Sequence, residues 1–403
     1  MPIPNNNLEQ DNCVNQTISV GLRNRVKRKI LFLSRDHGGV QAILPVIKTI
    51  KELPEFQPIV LSFPESSYLY TRDGIEVVSM NKGIKSFLSL DLYNDIIREY
   101  MPDLIVTGTS VASPEEISTP EQMLIVAAKR KGIPSLSILD YWGRYMDRFS
   151  DDGKTIKAEY LPDRICVIDA LCKEELASLG VNKDSIVVTH NPYFDGIVGL
   201  ADDPCFELAA GIEPEKKNIL YASQPLQEYK LEDKLGYTQQ TLFHLLTEEV
   251  SQWEDSSPKH IIVWIHPKEN QKRWEDWVIN VPSSLSVQLT RKGLNSGSIF
   301  SQVAFLATSH SSLVYEALYY GTPCLSIQPG RTADRDQLIT NKLGLSIPVY
   351  SSDELRQVLH NTDFLLLRES LKGKRSQMCA NNLFFSDGKA TRRVLDIIRQ
   401  MVH

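Results

Sequence analysis

KRKILFLS (27–34) and KKNILYAS (216–223) carry one pattern twice: two basic residues, a variable position, Ile-Leu, an aromatic ring, a variable position and Ser. Each is a short apolar run that stops at a polar loop. A strand buried on both faces of a parallel sheet reads this way, because neither face has to meet water. The second copy begins near the middle of the chain, so the repeat points to two halves of one architecture.

Further apolar runs follow each copy. The first half offers Gln57–Phe63, Leu104–Thr107, Ser135–Leu139, Ile165–Ile168 and Ile186–Thr189; the second offers Ile261–Ile265, Ser286–Leu289, Val303–Ala307 and Cys324–Ile327. Helical periodicity fills the gaps. Val40, Leu44, Ile47 and Ile50 share one face of a helix expected over Val40–Lys51. Thr119, Pro120 and Gln122 form a helix start, with Thr as N-cap, Pro in the first turn and Gln at N3, and that helix stops at Gly132. A second such helix, Ser312–Tyr320, stops at Gly321 and Pro323. Strand–helix alternation throughout predicts an α/β protein: two Rossmann-like doubly wound parallel-sheet domains facing a central cleft. The expected layout is a flexible tail over 1–26, an N-terminal domain over 27–200, a linker over 201–214 and a C-terminal domain over 215–403. The last segment, Lys389–Met401, reads as an amphipathic helix free to pack back on the N-terminal domain.

The bulk numbers fit. A chain of 403 residues with 42% hydrophobic and 23% charged residues can build two cores. Its net charge of −6 argues against a general nucleic-acid binder. Six cysteines, at 13, 166, 172, 205, 324 and 379, form no CxxC pair, so reduced structural thiols in a cytoplasmic protein are expected. The Asn-rich start lacks the apolar core of a signal peptide, and no apolar run reaches the roughly 20 residues needed to span a bilayer.

Two segments are suited to chemistry. After the first strand comes SRDHGGV (34–40). Gly38 and Gly39 let backbone approach a ligand, and the following helix offers its N–H groups to an anion. His37 and Asp36 project at the carboxyl end of the strand, where ligands of open α/β sheets bind. His37 is the candidate general base, since its ordinary pKa lies near neutral pH. The second segment, ATSHSS (307–312), places His310, Ser311 and Ser312 where a helix begins, with Glu316 one turn in, near enough for a ribose diol. Thinner candidates are His266 after the strand Ile261–Ile265, Asp140 after Ser135–Leu139, and Arg331, Arg335, Asp336 and Gln337 after Cys324–Ile327. The Glu115–Glu116 pair ahead of a helix is read as dipole compensation.

At these residues the chain resembles the GT-B superfamily over roughly positions 27–345. The two most similar families are the peptidoglycan lipid-II-forming N-acetylglucosaminyltransferase and UDP-N-acetylglucosamine 2-epimerase. The resemblance is carried by His37, Gly38 and Gly39 with Pro45 on the next helix, by THNP (189–192), by Ser311, Ser312, Glu316, Ala317, Gly321 and Pro323, and by DRDQ (334–337) with Asn341. It implies that Ser311 and Ser312 bind diphosphate, that Glu316 binds ribose, that Gln337 touches the donor sugar and that His37 lies near the reacting centre. Some family features are missing. Arg35–Gly39 holds fewer glycines than the transferase loop. The epimerase His-Arg-Arg-Glu-Asn is absent near Ala222–Gln224, and its Gly-Asp-Thr is here Gly108, Thr109 and Ser110.

The resulting expectation is a metal-independent glycosyltransferase of GT-B type. It would need no metal and no cofactor, the nucleotide-sugar being a substrate. His37 or Asp36 would take the acceptor's proton. Expected partners are a nucleoside-diphosphate sugar, UDP-linked by the resemblance, and a carbohydrate, lipid-linked or small-molecule acceptor. A lipid-linked acceptor would bring a peripheral membrane contact. Two alternatives stand beside it: an epimerising or hydrolysing enzyme on the same donor, with Asp140 as its carboxylate, and a non-catalytic nucleotide-sugar-binding protein.

Overall fold

The computed structural model describes residues 27–80, 89–112, 116–202, 208–290, 296–336 and 338–402. The expected tail, Cys13, Cys205, Glu115, Gln337 and part of the expected linker lie outside them. Thirteen strands form two parallel sheets among the described residues. The first runs in the order β3-β2-β1-β4-β5-β6-β7, from β1 (Arg28–Leu33), β2 (Phe56–Ser62), β3 (Val78–Ser79), β4 (Leu104–Thr107), β5 (Ser135–Ile138), β6 (Arg164–Val167) and β7 (Ile186–Val188). The second runs β10-β9-β8-β11-β12-β13, from β8 (Lys217–Ala222), β9 (Lys259–Trp264), β10 (Leu285–Thr290), β11 (Phe305–Thr308), β12 (Cys324–Ile327) and β13 (Ile347–Val349). The two repeated segments are therefore β1 and β8, each the strand from which its sheet winds in both directions.

Strand β1 shows why these runs are apolar without alternation. Ile30 and Phe32 join one core with α1 (His37–Glu52), while Leu31 and Leu33 join another on the opposite face of the sheet. All four are fully buried. Register follows from this: Leu31 lies beside Ile59 and Ile105, and Phe32 beside Val60 and Val106, so like faces stack.

Helix α1 starts three residues earlier than its periodicity predicts, so His37, Gly38 and Gly39 belong to its first turn. The reason is steric. A Cβ on Gly38 would collide with the Asp140 carboxylate, and one on Gly39 with the Ser34 hydroxyl. The glycines let the helix begin flush against the sheet. Helix α2 (Ser67–Arg72) follows β2. Helix α3 (Pro120–Lys131) has the expected capping box, with Gln122 N–H on Thr119 Oγ1 at 3.2 Å and Thr119 N–H on Gln122 Oε1 at 2.7 Å, and it ends at Gly132 with φ +66°. Helix α4 (Tyr193–Asp202) leaves the first sheet, and α5 (Leu313–Tyr319) follows β11.

The chain finishes with α6 (Ala390–Met401), which returns to the first lobe. Val394, Leu395, Ile397 and Ile398 share a core with α1, β1 and β2. Its first turn is held by Asp195 of α4, whose two oxygens accept from Ala390 N–H at 3.0 Å and Thr391 N–H at 2.7 Å. A carboxylate there satisfies two orphan donors and meets the positive end of the helix. Cys166, Cys172 and Cys324 are buried free thiols; burial pushes Cys166 up to about 12. No described helix is long and apolar enough to cross a membrane.

Candidate functional site

Ligands of doubly wound sheets bind where the strand order reverses. Here that point lies beyond β1 and β4 in the first lobe and beyond β8 and β11 in the second. The loops leaving those strands are Ser34–Asp36 with Gly108–Ser110, and Ser223–Gln224 with Ser309–Ser312. Both candidate segments therefore sit at switch points.

In the first lobe a fully buried carboxylate ties the two loops together. Glu121 Oε1, on the first turn of α3, accepts from the Arg35 N–H at 2.8 Å and from Ser110 Oγ at 2.5 Å. Burial pushes its pKa up against these donors, and its Oε2 has no hydrogen-bond partner. The Arg35 guanidinium turns away to Glu116 at 2.7 Å and to the Val111 carbonyl at 2.8 Å. Asp36 is the N-cap of α1, exposed and 3.5 Å from Arg35 Nε.

Asp140 lies against Gly38. Its Oδ1 accepts from Arg148 Nη1 at 2.9 Å and from Thr109 Oγ1 at 3.5 Å, and its carbonyl accepts from Asn191 Nδ2 at 3.2 Å. Arg148 is buried, with Nη1 also on Thr109 Oγ1 at 2.6 Å. His37 stands at the exposed lip, its Nδ1 3.2 Å from the Tyr68 hydroxyl of α2. Partial burial and the charge of Arg72 hold His37 below the ordinary histidine value.

The second lobe answers with His266 after β9. Its N–H donates to Glu269 Oε2 at 2.9 Å, and its Nδ1 accepts from the Lys268 N–H at 3.2 Å, which leaves the proton on Nε2. Glu269 is anchored by Ser223 Oγ at 2.7 Å. Burial and then the charge of Lys268 lower the pKa of His266, against the opposing carboxylate of Glu228.

His310 N–H donates to Gln224 Oε1 at 2.8 Å, and its Nδ1 lies 2.8 Å from Ser309 Oγ, which in turn meets the Tyr237 hydroxyl at 2.8 Å. Burial and Arg331 lower its pKa. Arg331 reaches Tyr237 and keeps a buried Nε without a hydrogen-bond partner. Ser311 Oγ accepts from the Leu313 N–H at 3.3 Å, while Ser312 is exposed and makes no side-chain cap.

Glu316 reaches across the lobes: its Oε1 accepts from the Tyr193 hydroxyl of α4 at 2.8 Å. Beside it Tyr315 donates to the Tyr141 hydroxyl at 2.9 Å. Below lies an aromatic floor in which Trp142 stacks on Phe384 at 5.0 Å and Phe194 on Tyr319 at 5.1 Å. Asp169 pins this floor by accepting from Trp142 Nε1 at 2.9 Å and Phe384 N–H at 3.0 Å.

The structure thus gathers His37, Gly38, Gly39 and Asp140 on one wall and His266, His310, Ser311, Ser312 and Glu316 on the other. Arg335 points into solvent from a short turn. Asp336 is buried, and although burial works to raise its pKa, donors from Leu338 N–H, Asn341 Nδ2 and Tyr350 Oη hold it low and occupy both oxygens. Arg331 is the inward-facing cation of that segment. Sequence reasoning passed over Arg148, Glu121, Tyr193, Tyr68 and Arg72. Of these only Tyr68 and Arg72 carry a local signal, the spacing of four that puts both on one side of α2.

Neither a family model nor a curated protein sequence matches this chain. Solved structures do match it along nearly its whole length. UDP-GlcNAc 2-epimerase from Neisseria meningitidis, bound to UDP-GlcNAc, is 14% identical with a TM-score of 0.64, covering 92% of this chain and 100% of that one. MurG from Acinetobacter baumannii is 15% identical with a TM-score of 0.56, covering 93% and 99%. The glycotransferase of kitacinnamycin is 15% identical with a TM-score of 0.60, covering 94% and 99%. At such identity the likeness shows a shared fold, the two-lobed GT-B architecture expected from the sequence.

Proposed function

We propose that the protein is a metal-independent glycosyltransferase that takes a nucleoside-diphosphate sugar in the interlobe crevice. The observation that carries this reading is the Glu316 carboxylate, one turn into the helix that follows Ser311 and Ser312 in the second lobe, reaching the Tyr193 hydroxyl of the first lobe at 2.8 Å. Solved neighbours that hold UDP or UDP-GlcNAc favour a uridine nucleotide. The Ser311–Ser312 turn, His310, His266 Nε2–H and Arg331 would meet the diphosphate, and Glu316 the ribose. With Nδ1–H donated to Tyr68, His37 keeps a lone pair on Nε2 for the acceptor's proton. The acceptor oxygen then attacks the anomeric carbon, the bond to the diphosphate oxygen breaks, and the released charge is stabilised by these preorganised donors. The groups suited to the diphosphate are N–H donors and the Arg331 guanidinium, whose buried Nε has no hydrogen-bond partner among the described residues. A thermal-shift series with UDP, CMP, GDP and dTDP tests the reading. UDP should raise the melting temperature, and Ser312→Ala with Glu316→Ala should abolish the shift. No shift with any nucleotide overturns it.

A second reading rests on Asp140, whose carboxylate lies against Gly38. It could serve an epimerising or hydrolysing enzyme on the same donor. Free UDP and a 2-epimer formed from UDP-N-acetylglucosamine without any acceptor would favour it.

A further inference from the structure

We propose that Tyr68 and Arg72 of α2 form the acceptor wall of the crevice and select a sugar that carries an anionic group, a carboxylate or a phosphate. The inference rests on the transferase reading for the role of His37. Helix α2 is anchored by Leu69 and Tyr70, which are 2% and 0% exposed, and so presents Tyr68 and Arg72 outward, four residues apart on one side. Tyr68 is 54% exposed, unusual for so large a ring, and its hydroxyl touches His37. The two rings lie 6.2 Å apart, tilted by 36°. An exposed aromatic face beside the candidate base is a surface for the apolar side of a pyranose.

Arg72 supplies the charge. Its bond to Asp73 is a long one, Nε to Oδ1 at 3.4 Å, and Asp73 is shared with Lys48 at 3.3 Å. Nη1 and Nη2 make no hydrogen bond among the described residues, and the side chain is 65% exposed. Arg72 lies one helical turn beyond Tyr68, whose hydroxyl meets His37 at 3.2 Å, and so stands on the same side of α2 as that contact. A free planar fork is the geometry that takes a carboxylate or phosphate bidentately. There is also a chemical reason for a partner. A bare cation here makes His37 a weaker base, whereas an acceptor that brings its own negative charge neutralises Arg72 as it docks and restores that basicity.

The test titrates three small sugars into the UDP-saturated protein by calorimetry: methyl β-D-glucuronide, glucose 6-phosphate and methyl β-D-glucoside. One or both anionic sugars should bind about tenfold more tightly than the neutral one. Arg72→Gln should erase that preference without altering the glucoside, and Tyr68→Ala should weaken all three while Tyr68→Phe does not. The glucuronide and phosphate arms separate the two sources of charge. Equal binding of all three by the native protein, or a preference that survives Arg72→Gln, overturns the proposal. The UDP thermal shift of Arg72→Gln reports that the variant is folded. Loss of UDP binding by the native protein would instead strike the nucleotide reading, and the sugar preference would then be read on the ligand-free protein.

Discussion

Replacing Tyr193 by Phe should tighten UDP binding, although it removes a hydrogen bond. In the ligand-free protein the Tyr193 hydroxyl already occupies Glu316 Oε1 at 2.8 Å. If the ribose diol is to use both carboxylate oxygens, that bond must be given up on binding. A hydrogen bond to a charged acceptor is worth about 1.5–3 kcal/mol when buried. Both residues here are only half-buried, so solvent reduces this to about 1 kcal/mol. Relief of that cost corresponds to an affinity gain of about fivefold. Phe keeps the ring contact with Phe194 at 5.4 Å, so the fold has little reason to respond. Calorimetric titration of UDP into native protein, Tyr193→Phe, Glu316→Ala and the double variant completes a thermodynamic cycle. The gain should vanish in the Glu316→Ala background. Weaker or unchanged UDP binding by Tyr193→Phe would refute the reasoning, since it would mean that Tyr193 and the nucleotide do not compete for Glu316.

Other outcomes follow from the same geometry. His37 and His266 are held below their ordinary value by burial, and by Arg72 and Lys268 respectively. A diphosphate between them reverses that, so UDP binding near pH 6 should take up protons, visible as a buffer-dependent calorimetric heat; a heat independent of buffer contradicts it. His190 and His310 are depressed by burial, so the folded state resists their protonation while the unfolded chain does not. Stability should therefore fall as pH drops below about 6.5, and a flat urea midpoint between pH 7 and 5 would count against this. Glu121 is shifted the other way: burial raises its pKa, so its favourable contribution holds below the ordinary glutamate value and is lost as pH rises through the folded one. Glu121→Gln keeps an acceptor for Ser110 and Arg35, and its melting temperature relative to native protein should improve from pH 5 to pH 8; no trend would refute the burial argument. Asp195→Ala strips two N–H groups of α6 of their acceptor, which should cost about 1–2 kcal/mol in chemical denaturation. An unchanged midpoint would show that α6 is held by its apolar face alone.

The sheets were legible because a strand buried on both faces has nothing polar to disguise it. β4 and β12 match their expected bounds residue for residue. β3 escaped because two residues on a sheet edge are too short to make a pattern, and β13 because Pro348 breaks its apolar run. The His37–Gly39 turn reads as loop because two glycines signal chain freedom; what requires them is crowding by Asp140 and Ser34, which only the fold reveals. The same holds for the site. His37, His266 and Ser311–Ser312 follow strands and could be found by position. Tyr193 meets a partner 123 positions away and Arg148 one 39 positions away, and no spacing rule spans such distances.

The return of α6 to the first lobe bears on how the molecule is made. Val394, Leu395, Ile397 and Ile398 complete a core whose other members begin at Ile30. A ribosome delivers Ile30 some 360 residues before α6, so the amino-terminal lobe must wait, with one flank uncovered, until residues 390–401 emerge. The carboxyl-terminal sheet, whose strands all lie between residues 217 and 349, has no such dependence on the final segment. Order of synthesis and order of completion thus diverge: β1 is made early, yet its core closes only when α6 arrives.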